Sequence, residues 1–216
     1  MTTGPEVWPP GTAAGRGRDN TVQGMDLTWF QRFGAVSGVL LALSIGVPGA
    51  VEAFTGETTA TSLVLGLGVA FSAPAVTALY LHHRATAGRF GAFAYAANLL
   101  GLGLFTGVAF ALNMVLFYLD QSTVDTLREG PTGLALQISA VVFLAGTILF
   151  SVSMVRSGGF PRLAAVGYGV TLPLLALLAP LPDSPATSGV HVLAAVSVAW
   201  LSLSVLPARR TAPVAA

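Results

Sequence analysis

The chain alternates between long apolar stretches and short polar breaks. The longest stretch, residues 90–119, holds no charged residue and is closed by Arg89 on one side and Asp120 on the other. At about 1.5 Å per residue it is long enough to cross a bilayer core of roughly 30 Å with some tilt. Similar stretches occupy residues 33–54, 62–81, 133–155, 163–181 and 189–206. The pattern predicts an all-α membrane protein, a bundle of six transmembrane helices over residues 26–207. Residues 1–25, rich in Gly, Pro and Thr, offer too little apolar surface to offset their ordering entropy and read as a disordered tail. Residues 208–216 read as a second, short tail. Trp29 and Phe30 suit a membrane interface, and residues 121–132 read as a short polar loop.

Composition agrees with the pattern. Charged residues make up 9% of the chain and hydrophobic ones 54%. A soluble domain carries about a quarter charged residues, so lipid must be part of the solvent here. The net charge of +1 gives no reason to expect a nucleic-acid partner, and the absence of cysteine removes disulfides, thiolate metal sites and cysteine nucleophiles. Val51-Glu-Ala53 resembles a small-residue cleavage site. The long polar run ahead of the first span and the poor fit of Glu52 favour an uncleaved span.

Sorting charges by span places Arg16, Arg18, Arg32, Arg84, Arg89, Arg156, Arg162, Arg209 and Arg210 on one side and only Arg128 on the other. Arginine-rich segments stay cytoplasmic, so both termini are expected inside the cell membrane, N-in and C-in. Arg84, Arg89, Arg156 and Arg162 then act as cytoplasmic anchors.

Segments seventy residues apart look alike. Thr77-Ala-Leu-Tyr80 matches Thr147-Ile-Leu-Phe150, and Gly88, Phe90 and Ala94 match Gly158, Phe160 and Ala164. One reading is a parallel repeat of helical hairpins, of the kind that surrounds a central site in some transporters. The other is chance likeness between apolar segments. A repeat predicts pseudo-two-fold packing of the second and third spans against the fourth and fifth.

Polar groups inside a membrane need a partner or a purpose. Tyr95 and Asn98 share a helix face, and Asn113 lies about 22 Å further along the axis on the same broad side. With Gln137 and Glu52 they form the candidate intramembrane polar site. The competing explanation is interhelical hydrogen bonding, which contributes about 0.6 kcal/mol per bond. Gln137 could bond an asparagine of the third span. Glu52 is either a proton or cation site beside Pro48, or a carboxylate at the headgroup level. Thr132, Ser139, Gly146 and Ser153 recur every seven residues as a packing seam, and Gly34 and Gly38 permit close helix approach. His82, His83 and His191 read as interfacial. No nucleotide-loop, metalloprotease or nucleophile-elbow motif occurs, so no catalytic residue, metal or cofactor is expected.

Gly146, Leu149, Phe150, Arg156, Gly158, Pro161, Arg162, Ala164 and Ala165 together resemble the signature of uncharacterised bacterial small multi-span integral membrane proteins. Tyr80, Arg84 and Gly88-Arg89, and Ala199-Trp-Leu201, are similar to the same group. The resemblance implies membership over the second to sixth spans and no assigned activity. The functional expectation is a non-enzymatic membrane scaffold or partner protein, with the lipid bilayer, a second copy or another membrane protein as its partner. The alternative is a small transporter or channel subunit with a polar site between the third and fourth spans. A wet midplane cavity lined by Asn98 and Gln137 would favour the alternative, and a dry bundle the scaffold.

Overall fold

Continuous apolar sequence becomes helix because no water is available in lipid to satisfy an open backbone. The computed structural model describes residues 15–179 and 184–206, with side chains from Leu27 onward, and the described residues are all helices and turns. The first helix, α1, runs Gly15–Thr55 through a buried Pro48. It begins inside the segment expected to be disordered tail. Residues 1–14, 180–183 and 207–216 lie outside the described residues, and with them the remaining tail expectations, Asp183 and the Arg209-Arg210 pair.

Helix α2 (Thr59–Gly68) passes through a 3-10 turn, Val69–Phe71, into α3 (Ser72–Met114). Pro74 accounts for the turn. It has no N–H for the Ala70 carbonyl and its ring crowds that carbonyl, so the α ladder gives way there. A second break falls at Gly88, whose φ of 59° and ψ of −156° only glycine adopts readily. There α3 folds back on itself. A straight helix would hold Ser72 and Thr106 about 50 Å apart, yet their hydroxyls are 3.5 Å apart. Tyr80 stacks on Tyr95 at 4.3 Å, and the Thr77 and Tyr95 hydroxyls are 3.0 Å apart, in the same hairpin.

Residues 121–132 are not the expected polar loop. Most of them form α4 (Gln121–Glu129), whose N-cap Asp120 accepts from the Thr123 N–H at 3.0 Å. Three helices follow: α5 (Pro131–Ser157), α6 (Arg162–Leu178) and α7 (Pro185–Ser204). Gly158, at φ 69°, ends α5 in the left-handed conformation. Among the described residues four helical segments are long and apolar enough to cross a membrane: Leu27–Thr55, Thr59–Tyr118, Pro131–Ser157 and Pro185–Ser204. Arg162–Leu178 is apolar but shorter.

The helices close a ring. α1 packs on α7 and on α3, α3 on α5, α5 on α6, and α6 on α7. Small residues set the tightest crossings. A Cβ at Gly101 would meet the Phe143 Cα at 2.6 Å, and one at Gly146 would meet the Asn98 Cα at 2.7 Å. Ser139, Gly146 and Ser153 of the expected seam are buried, whereas Thr132 is exposed. Gly34 abuts Ala78 and the Pro74 carbonyl, and Gly38 abuts Ser202. Both therefore face other helices.

These contacts also sort the charges. Arg156 lies over the Phe90 ring and His82 against Phe160, so the Gly88 turn and the α5–α6 turn share one end of the ring. Gly34 against Ala78 brings the Arg32 region to that end as well. Arg84, Arg89, Arg156 and Arg162 are not buried. Gly49 packs on His191 towards the opposite end, which carries Glu52, Glu57, Asp120, Asp125 and Glu129.

Candidate functional site

Two polar arrangements lie inside the ring, and they are separate. The first centres on Asn98, which is fully buried where α3, α5 and α6 meet. Its Nδ2 donates to the Tyr168 hydroxyl at 2.8 Å, and its Oδ1 accepts from Thr147 Oγ1 at 3.1 Å. Gly146 creates the space, because its missing side chain lets α5 approach the Asn98 backbone. Both of the amide's bonds thus go to neighbouring helices, the interhelical reading rather than a pocket-lining one.

Asn98 and Tyr168 are seventy residues apart, as are His83 and Ser153, whose Nε2 and Oγ lie 3.4 Å apart. Gly88 and Gly158, also seventy apart, both have positive φ. Contact between equivalent positions is what a pseudo-two-fold axis between two hairpins requires. The symmetry is incomplete, because α6 has no extensive interface with α3 to mirror the α3–α5 contact. Val76 and Leu79 of α3 and Tyr168 and Leu172 of α6 instead line a shared cavity.

His83 is buried between helices. It is 2% exposed, its Nδ1 lies 2.7 Å from the Leu79 carbonyl, and Tyr80, Phe150 and Phe160 surround the ring. A carbonyl only accepts, so Nδ1 carries the proton and donates. Burial was not legible because His83 follows His82 at a helix end, where only the path of the neighbouring α5 decides which of the two turns inward.

The second arrangement is the cavity itself, about 390 Å³, enclosed by residues from α1, the α3 hairpin, α4, α6 and α7. Its inner part is apolar, with Leu41, Leu79, Leu102, Phe105 and Leu172. Its other end gathers Glu52, Glu57, Asn113, Gln121, Arg128 and His191. Glu57, Gln121 and Arg128 are exposed, so the cavity opens at the acidic end of the ring. Glu52 is only 6% exposed, buried in the wall of the cavity. Glu57 accepts from Ser62 Oγ at 2.7 Å. His191 Nδ1 sits 2.9 Å from the Thr187 carbonyl and must donate to it, which leaves Nε2 of the neutral ring as an acceptor.

Of the sequence-derived site, then, Glu52 and Asn113 line the cavity, Asn98 and Tyr95 belong to helix-to-helix bonds, and Gln137 does neither. Gln137 is exposed on the outward face of α5 beside Leu134, Ile138 and Val141, so it does not reach a third-span asparagine. Asn113 donates to the Ala109 carbonyl of its own helix at 2.8 Å. Tyr168, His191, Glu57 and Arg128 were missed as site residues. Extending the seventy-residue offset from the matched segments to Asn98 would have flagged Tyr168. Compared with family models, with characterised proteins and with solved structures, the chain finds no match in any of the three.

Proposed function

We propose that the chain is a six-pass protein of the cell membrane, with both termini in the cytoplasm, that binds a small and largely apolar molecule within its helical ring. Six passes follow if the two legs of the α3 hairpin cross separately and α6 crosses despite its length. At 17 residues α6 spans about 26 Å, close to the thickness of a hydrocarbon core. The orientation rests on the arginine-rich end facing inward.

The observation that carries the binding reading is the cavity. Packed interiors hold few voids larger than a water molecule. A cavity of about 390 Å³ lies instead in the range of small-molecule sites, and like them it combines apolar walls with a few convergent polar groups. A scaffold needs no such space. The reading is close to the transporter alternative, with the site moved from the α3–α5 seam to the centre of the ring.

The test is thermal stability of the detergent-solubilised chain with n-octanol, in the parent and in Ala109→Trp. Ala109 is part-buried and lines the cavity, so an indole there obstructs it. Octanol is expected to raise the melting temperature of the parent and not of the variant. An equal response in both would defeat the binding reading.

A further inference from the structure

The walls of the cavity also specify the head of its ligand. We infer that the ligand is an apolar molecule ending in a protonated amine, an inference that rests on the cavity being a binding site.

Among the described residues the titratable groups facing the cavity are Glu52, Glu57, Arg128, His191 and Tyr168. They are not equivalent. Glu57 and Arg128 are exposed at the open end, where water and salt screen them and their opposite charges offset one another. Glu52 is buried against the cavity, so a cation paired with it there would interact through protein rather than water, several-fold more strongly than at the exposed end. The His191 ring, committed at Nδ1 to the Thr187 carbonyl, offers a lone pair at Nε2. Asn113 donates one N–H of its Nδ2 to the Ala109 carbonyl, and its Oδ1 can only accept.

The described polar end therefore sets two carboxyl groups, one of them buried, and the His191 imidazole against Arg128 at its exposed mouth, with the Asn113 and Gln121 amides beside them. An ammonium group, with three donors and a positive charge, complements the two carboxyl groups of that set. A carboxylate or phosphate head would meet the carboxyl groups of Glu52 and Glu57, with Arg128 as the cationic side chain to oppose it among the described lining residues. Among the described residues no three of His, Asp and Glu converge as a metal site would require. The complement is thus an organic cation, with its apolar body against Leu79, Leu102, Phe105 and Leu172.

The experiment compares three heads on one chain length, n-octylamine, n-octanol and octanoate. Each is measured as affinity for the full detergent-solubilised protein at neutral pH, with Ala109→Trp as the control for binding to the micelle. In the parent, octylammonium is expected to bind about tenfold tighter than octanol or better, and octanoate to bind weakest. Glu52→Gln should bring the amine-over-alcohol ratio to within about twofold of one while leaving octanol binding in place. Equal affinity for the three heads, a preference for octanoate, or an unchanged ratio in Glu52→Gln would overturn the cation inference and leave the cavity reading standing. If none of the three binds the parent, both fall. The head series on the parent decides the matter by itself should Glu52→Gln not fold.

Discussion

Asn98→Leu is a near-isosteric change at a fully buried position, and the structure sets its cost. Leucine removes the amide's own demand for partners but not those of Tyr168 and Thr147, which bond to it at 2.8 and 3.1 Å. Two interhelical bonds are lost, at about 0.6 kcal/mol each on average and about 1.7 at most. Thr147 can turn its hydroxyl back to a carbonyl one helical turn earlier, so its loss is partly recovered. The Tyr168 hydroxyl has no such option, and an unsatisfied buried hydroxyl costs about 1–3 kcal/mol. The expected destabilisation is about 2–3 kcal/mol. Tyr168→Phe removes the stranded hydroxyl, so Asn98→Leu and Tyr168→Phe together should cost less than the sum of the two, by about 0.6–1.7 kcal/mol. Reversible unfolding in detergent or bicelles, run as a double-mutant cycle, measures that difference. Additivity within about 0.3 kcal/mol would mean that Asn98 and Tyr168 do not share a bond, and the join between α3 and α6 would have to be redrawn.

Gly101→Ala pushes a methyl group into the α5 backbone at Phe143 and should cost about 1–3 kcal/mol in the same assay, whereas Gly103→Ala, with open space around it, should be neutral or slightly stabilising; equal effects would refute the close crossing. Hydrogen bonds from Ser122, Thr123 and the Thr123 N–H hold the Asp120 carboxyl down to about 2 from an ordinary 3.8. Its capping contribution to α4 is therefore complete above pH 3.8 and is lost as pH falls through about 2. A ¹³C-labelled Asp120 carboxyl should titrate near 2, and a midpoint near 3.8 would remove the cap.

What could be read from the sequence was what lipid demands locally. Long uncharged runs, the breaks at Arg89 and Asp120, and the small residues of the α3–α5 seam are all properties of one helix at a time. The nine residues of α4 were read as loop, because so short and polar a segment has no apolar period, although Asp120 stands three residues ahead of Thr123 as a cap would. The burial of Glu52 was not legible from its distance along α1. Its burial depends on how α1 and α7 cross at Gly49 and His191, and that is set between helices. The same holds for Gln137. Its position along α5 suits a partner on α3, but its rotation about the axis turns it away from the ring. The Asn98–Tyr168 bond needed the register of two helices, and only the seventy-residue offset carried any trace of it.

The central claim is a ring of membrane-crossing helices whose cavity opens at the end opposite the arginines. Because the chain has no cysteine, single cysteines report without background. With a membrane-impermeant thiol reagent applied to intact cells, Ser122→Cys on α4 and Asn113→Cys in the cavity should be modified. Leu100→Cys on the outward face and Ser157→Cys at the arginine end should be protected until the membrane is opened, which would expose Ser157→Cys alone. Labelling of Ser157→Cys in intact cells would reverse the orientation, and protection of Asn113→Cys beside a reactive Ser122→Cys would close the cavity to the outside and contradict the account.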